Sequence, residues 1–458
     1  MSVATRRQDG GVKADAGRKY RAYPTAVQDE VLSGWGHTAR ALWNVALEQR
    51  VYLWEQRRYT LRSTEQCKQL TAARADLDWI GDFPAQAGQQ VLRRLDQAYD
   101  NFWNPAHSAG FPARKKRGHR LSIPFPGQAV EVRKLNRKWA EVRLPKLGWL
   151  RFRLSRAIGG TIRNATVSRD GNGWHISFGV HTGRKPDAPN GKPSCGVDFG
   201  VAASAFVSTE TQPRLMPPTL TANEKKRLKV LEQRKARQIA YAKKHSGGKY
   251  SRRLRTTITQ IAKLTIRRAN RRQDFTHKFT TDLAKNHGLI GIEDLRVKNM
   301  TKSAKGSAEA QGKNVRAKAG LNRSILDNTP GERRRQLEYK ACMYGSVLVA
   351  VPPFHTSQTC GNPACGKVDP ESRKGCGRLF ACIHCGHEDH ADHNASVEIE
   401  ARARRTGGSD IDSTRSTPRV RVPATSRRRM REARPRELGG IARFHRGEDR
   451  QNVLLFVT

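Results

Sequence analysis

Apolar and polar residues alternate along Lys19-Tyr20-Arg21-Ala22-Tyr23, the two-residue period of a strand. The period then lengthens. Pro24 and Thr25 open a helix in which Thr25 and Gln28 fit a capping box and Val27, Val31, Trp35, Leu42 and Val45 share one face. A second helix follows Pro84, with Val91, Leu95, Tyr99 and Phe102 at helical spacing up to Trp103. From about Leu121 to His181 the period returns to two, as in Leu150-Arg151-Phe152-Arg153-Leu154. The stretch 167–180 folds back around Asp170-Gly171-Asn172-Gly173 as a hairpin. This half reads as a small β-domain with a helical insert after its first strand, and the Lys-, Pro-, Gly- and Asn-rich stretch 183–192 marks its boundary.

The second half opens with a strand over 195–207 and continues as long basic helices from about Ala222 to Ala284, interrupted near Ser246-Gly247-Gly248. In the last of these, Phe275, Phe279 and Leu283 recur at four-residue steps. Two apolar runs, 289–292 and 347–351, predict buried strands, so strands and helices alternate as in an α/β domain. Between them 298–323 is rich in Lys, Gly, Ser and Ala and is expected to be a loop, of the kind that serves as a lid or binding segment. Residues 1–18 and the Arg-rich tail 406–458 lack patterning and are predicted to be disordered.

Charge changes the picture. Lys and Arg number 86 against 41 Asp and Glu in 458 residues, a formal +45 that argues for a polyanionic partner and against an enzyme of small neutral metabolites. Arg114-Lys115-Lys116-Arg117 and the cluster Arg267, Arg268, Arg271 and Arg272 are the expected nucleic-acid contacts, the plainer alternative for the cluster being a solvated helix face. No apolar run approaches a bilayer span and no signal peptide is evident, so a cytoplasmic, nucleoid-associated protein without membrane contact is expected.

Five of the eight cysteines crowd into one stretch. Cys360 and Cys365 form one knuckle and Cys382 and Cys385 another, the spacing that brings four thiolates to one structural Zn²⁺; Cys376 offers a spare thiolate. A closed thiolate shell leaves catalysis to other residues. Three carboxylates are candidates: Asp198 in Gly196-Val197-Asp198-Phe199-Gly200, Glu293 after the apolar run ending at Ile292, and Asp392 in His390-Ala391-Asp392-His393-Asn394-Ala395-Ser396. Each alone is more often a turn-former. Three in a chain this basic suggest a hard-cation site for phosphodiester chemistry, with two Mg²⁺ or Mn²⁺ ions. Asp389 is a neighbouring alternative to Asp392, and His387, His390 and His393 are read as polar surface residues.

Taken in order, Gly-Val-Asp-Phe-Gly, Gly291-Ile292-Glu293-Asp294-Leu295, Thr356-Ser357-Gln358-Thr359-Cys360 and the Asp-x-Asn-Ala-Ser run closely resemble the TnpB proteins of bacterial transposons and the compact type V CRISPR effector nucleases. The resemblance spans about Lys19 to Arg404. It implies an α+β multidomain chain: a wedge-like β-barrel over 19–25 and 119–185, interrupted by a helical recognition lobe over 26–118, then a RuvC-like nuclease domain of RNase H fold over 193–355. A zinc ribbon at 356–388 and a last RuvC motif and helix at 389–405 would follow. It further implies that Asp198, Glu293 and Asp392 bind the catalytic ions, that a guide RNA selects a double-stranded DNA target, and that a monomer or homodimer sits on one guide. The rival expectations are a guided DNA-binding regulator that does not cut and a transposase that joins strands without a guide.

Overall fold

The computed structural model describes residues 15–407 except 106, 108, 117, 119, 201–203, 305, 307–311 and 313, and of Cys376 only the backbone. The disorder expected of residues 1–14 and of the tail beyond 407, and the contact expected of Arg117, lie outside the described residues. The architecture is mixed α+β, and its internal contacts divide the chain between Gly183 and Arg184.

In the first unit β1 (Ala16–Tyr23) precedes α1 (Ala26–Arg57), α2 (Ser63–Asp76), α3 (Asp78–Gly81) and α4 (Ala85–Trp103). Six strands follow: β2 (Leu121–Pro126), β3 (Glu131–Lys134), β4 (Trp139–Leu144), β5 (Gly148–Arg153), β6 (Thr161–Asp170) and β7 (Gly173–His181). They form one antiparallel sheet in the order β2-β6-β7-β1-β5-β4-β3. β1 starts earlier than the alternation suggested, because Ala16 already pairs with Val180. Its two ends serve different neighbours, residues 16–21 pairing with β7 and Ala22 and Tyr23 with β5. The capping box at Thr25 and Gln28 is present in both directions, and the β6–β7 loop is the two residues Gly171 and Asn172. The α1 face differs from expectation. Val27 is 73% exposed, while Leu32, Trp35, Ala39, Leu42 and Ala46 are buried.

In the second unit β8 (Cys195–Asp198) and β9 (Phe206–Val207) are followed by α5 (Ala222–His245), α6 (Arg252–Asn286), β10 (Leu289–Glu293), α7 (Val297–Met300), α8 (Val315–Asn328), α9 (Pro330–Tyr344) and β11 (Val347–Val351). β11, β10 and β8 lie parallel, and β9 closes the sheet antiparallel. The single strand expected over 195–207 is therefore two, because the chain reverses after Asp198 so that Phe206 pairs back with it. The expected loop 298–323 is also corrected: α7 occupies its start and α8 its end, as the helix-favouring Ala, Lys, Arg and Leu of 315–323 allow. Last come β12 (Arg373–Lys374), β13 (Leu379–Ala381) and β14 (Glu388–His390), a small antiparallel sheet, and α10 (Ala391–Gly407). No described helix is long and apolar enough to cross a membrane.

Candidate active site and metal centres

Side chains alternate across a strand, so the neighbours of Asp198 and Glu293 fix where the acids point. Cys195 and Val197 of β8 and Ile290 and Ile292 of β10 are buried with Phe279 and Leu283 of α6 and Leu337 of α9. Gly196 and Asp198, and Gly291 and Glu293, consequently face the opposite side, where α10 lies. A Cβ on Gly196 would meet the Ser396 carbonyl oxygen at 2.0 Å and the Glu400 nitrogen at 2.4 Å; one on Gly291 would meet Ala403 Cβ at 2.8 Å. Only glycine admits the helix this closely. From Ser396 back to Asp392 is about 6 Å of helix, and from Gly196 to Asp198 is about 6.6 Å of strand, so the first turn of α10 reaches the strand ends. The register Ile292 with Val197 makes Glu293 and Asp198 the next pair of neighbours.

The electrostatics agree with that placement. Burial, then the charges of Glu293 and Asp392, push the Asp198 carboxyl up to about 8, against which Arg373 of β12 works. Glu293 is raised too, by burial, and is held back by a hydrogen bond from Thr356 and by the charge of Arg402. The Thr356 hydroxyl donates to Glu293 Oε1 at 2.5 Å. An Asp198 whose ionisation is opposed by burial and by two neighbouring carboxylates is suited to a hard divalent cation, whose charge would remove that opposition. The oxygens of the three carboxylates are nonetheless not all within 4.8 Å of one another. Asp389 is engaged elsewhere: its Oδ2 lies 2.6 Å from His393 Nδ1. This corrects the surface reading of His393, which is partly buried and also reaches the Ser208 carbonyl oxygen through Nε2 at 3.3 Å. His390 stacks on the Phe206 ring at 4.8 Å.

The cysteines give a tighter picture. The Sγ atoms of Cys360, Cys365, Cys382 and Cys385 all lie within 4.8 Å of one another. Cys360 and Cys385 are 3.7 Å apart and Cys365 and Cys382 3.8 Å. A regular tetrahedron with Zn–S bonds of about 2.3 Å has edges of about 3.8 Å, so this donor set fits one zinc ion. A disulfide would need about 2.05 Å. The side chain of Cys376 lies outside the described residues.

The cationic candidates fare differently. Arg267 and Arg271 both bind Glu224 of α5, and Arg268 and Arg272 both bind Asp327 of α8, so this cluster ties helices together and offers less free charge than its sequence suggests. Lys115 places its Nζ 3.8 Å from the Trp43 ring centroid, and its backbone is gripped by the Asn44 side chain. Arg114 stands 3.8 Å from Glu48, and Lys116 is exposed. Sequence reasoning missed a different set. Among the described residues, the run from Lys225 to Lys263 makes no ion pair that a carboxylate would neutralise, although it contains Lys226, Arg227, Lys229, Arg234, Lys243, Lys244, Arg252 and Arg253. The signal was available, since Glu232 is the only acid between Lys225 and Lys263.

Three family models match this chain: a helix-turn-helix domain over residues 15–58, a model described as "Probable transposase" (OrfB of IS605) over 177–304, and a Cas12f1-like TNB domain over 331–399. InsQ, a candidate RNA-guided DNA endonuclease of Escherichia coli (strain K12), is 38% identical over 71% of this chain and 76% of its own length. A second candidate RNA-guided DNA endonuclease, from Streptomyces pristinaespiralis, is 30% identical over 93% of this chain and 98% of its own. The CRISPR-associated endodeoxyribonuclease Cas12f1 of Sulfoacidibacillus thermotolerans is 27% identical over 44% of each chain.

Proposed function

This chain belongs to the family of TnpB proteins and compact type V CRISPR effector nucleases, and on that premise we propose that it is an RNA-guided DNA endonuclease. The observation that carries the reading is the α10 face of the sheet, where Asp198 senses the charges of Glu293 and Asp392 although the three are separated by most of the second unit. In this reading 193–355 and 389–405 form the RuvC-like nuclease domain and 356–388 the zinc ribbon. The seven-stranded sheet of the first unit is the wedge-like barrel and 26–118 the recognition lobe.

Asp198, Glu293 and Asp392 would hold two Mg²⁺ or Mn²⁺ ions, which when bound activate a water and stabilise the leaving 3′ oxygen of the DNA strand. The chain's own contribution is orientation and charge. Thr356 fixes one oxygen of Glu293, α10 delivers Asp392, and Asp198 gives up a proton that its surroundings otherwise favour keeping. Guide–target pairing would select the sequence while the protein reads a short flanking duplex motif. The unpaired cations of α5 and of the start of α6 are better placed for phosphates than the four paired arginines, and binding should weaken steeply with salt.

The test is plasmid cleavage by protein co-expressed with its RNA, in Mg²⁺, with the bound RNA sequenced. Cutting that follows the variable segment of that RNA and is lost in Asp198→Ala supports the reading. Guided binding with no cutting, indifferent to Asp198→Ala, would make the protein a regulator instead.

A further inference from the structure

Among the described residues Arg333 of α9 is the largest side chain that is fully buried, at 0% exposure. A buried guanidinium is costly without a carboxylate, and among the described residues none pairs with it. Its faces are occupied by rings: Phe199, Phe275 and Phe279 have their centroids at 5.4, 5.7 and 5.5 Å. Among the described residues its side-chain hydrogen bonds go to Ser204, through Nη1 to the carbonyl oxygen and through Nη2 to Oγ at 2.9 Å, while Nε has no partner. If filling space were the requirement, an apolar side chain would meet it at lower cost. What the charge adds is a hold on the backbone of Ser204.

Ser204 and Gly200 lie between β8 and β9, just beyond Asp198. Both are held by Asn328. Ser204 Oγ donates to Asn328 Oδ1 at 3.0 Å, and Asn328 Nδ2 donates to the Gly200 carbonyl oxygen at 2.9 Å. Ladder pairing reaches Asp198 itself only through Phe206 of β9, the β10 ladder ending at Val197 with Ile292. Phe199, facing away from Asp198 on the strand, packs directly on the guanidinium and on Phe279. Asn328 at the end of α8 and Arg333 of α9 thus grip the chain just beyond Asp198.

We propose that Arg333, acting with Asn328 through Ser204 and Gly200, is a positioning residue for Asp198, fixing where that carboxylate meets the metal ions. The inference rests on the assignment of Asp198 as a metal ligand. Arg333 touches no reacting atom; it sets the rigidity of the turn behind one that does. A ligand displaced by about 1 Å can cost on the order of 100-fold in rate, and loss of an outer partner typically costs about 10- to 100-fold in metal affinity.

The test uses the full chain with its guide RNA and the variants Arg333→Met, which keeps the length and burial, and Ser204→Ala, which removes only the hydroxyl. The expected result for Arg333→Met is a half-activating Mg²⁺ concentration raised about tenfold, unchanged guide-RNA affinity, and amide exchange over 199–206 faster by about tenfold with the other strands unaffected. Ser204→Ala should move the same quantities by about threefold and keeps the proposal testable if Arg333→Met does not fold. Unchanged Mg²⁺ dependence together with unchanged exchange over 199–206 overturns it. So does a lowered Tm with the normal Mg²⁺ dependence below that temperature, which would make Arg333 a structural residue only. The exchange measurement needs no cleavage, so failure of the nuclease reading, seen as guided binding with no cutting, and failure of the Asp198 assignment, seen as an Asp198→Ala variant that still cuts, are each told apart from failure of the clamp.

Discussion

The four thiolates and the three carboxylates of this protein are built on opposite plans. The thiolates come from a 26-residue stretch and already stand at 3.7–3.8 Å, so two knuckles and a small sheet are enough to shape the site. The carboxylates come from two strands and a helix far apart in the sequence, are not mutually within 4.8 Å, and two of them, with burial, raise the proton affinity of the third, Asp198. A short-range site can be complete in its local backbone. A long-range one depends on everything that sets the distance between its elements, here the glycines under α10, the hydrogen bond from Thr356 and the turn after Asp198.

The largest effect should come from the acids themselves. Alanine at Asp198, Glu293 or Asp392 is expected to lower DNA cleavage by about 10³-fold or more with guide-RNA binding intact, measured on a matched plasmid; a residual loss under tenfold at any one would remove that residue from the site. Cys382→Ser should come next. It should release the zinc, read by metal analysis, unfold the local sheet and reduce cleavage by about 10- to 100-fold through the ribbon, whose Arg373 acts on Asp198; full zinc content in the variant would break the contrast between the two sites.

A third, smaller effect separates the plans by pH. With Asp198 raised to about 8, the folded state binds its proton more tightly than the unfolded chain does. In metal-free protein that contribution is present at acid pH and is lost as pH rises from about 4 to about 8. Asp198→Asn should therefore raise the Tm of the metal-free protein by about 2–4 °C at pH 8 and leave it nearly unchanged at pH 4.5. A lowered Tm at pH 8 would contradict the carboxylate cluster. The smallest effect is expected from Thr356→Val, which frees Glu293 Oε1 and should raise the half-activating Mg²⁺ concentration by about threefold, with kcat at saturation little changed.

How far the sequence could be read follows the same division. The Thr25–Gln28 capping box and the Gly171-Asn172 turn were visible because their partners lie within three residues. The cysteine cluster was visible because knuckle spacing is a local geometric constraint. The split of 195–207 into β8 and β9 was not, because the reversal is held by Asn328 and Arg333, over a hundred residues away. The cationic cluster at 267–272 looked free because Glu224 and Asp327 are remote in sequence, and α8 was mistaken for loop because a Lys- and Ala-rich composition serves either state. The three acids were singled out by motif order, and their roles remain for the substitutions above to decide.

Gly196 and Gly291 add a consequence for comparing genomes. Neither carries a functional group, yet an alanine at 196 would lever α10, and Asp392 with it, off the strand ends while every acid stayed in the alignment. A survey that sorts relatives into cutting and silent by counting carboxylates would file such a chain under the wrong heading; the missing hydrogen-only side chain is the character to score.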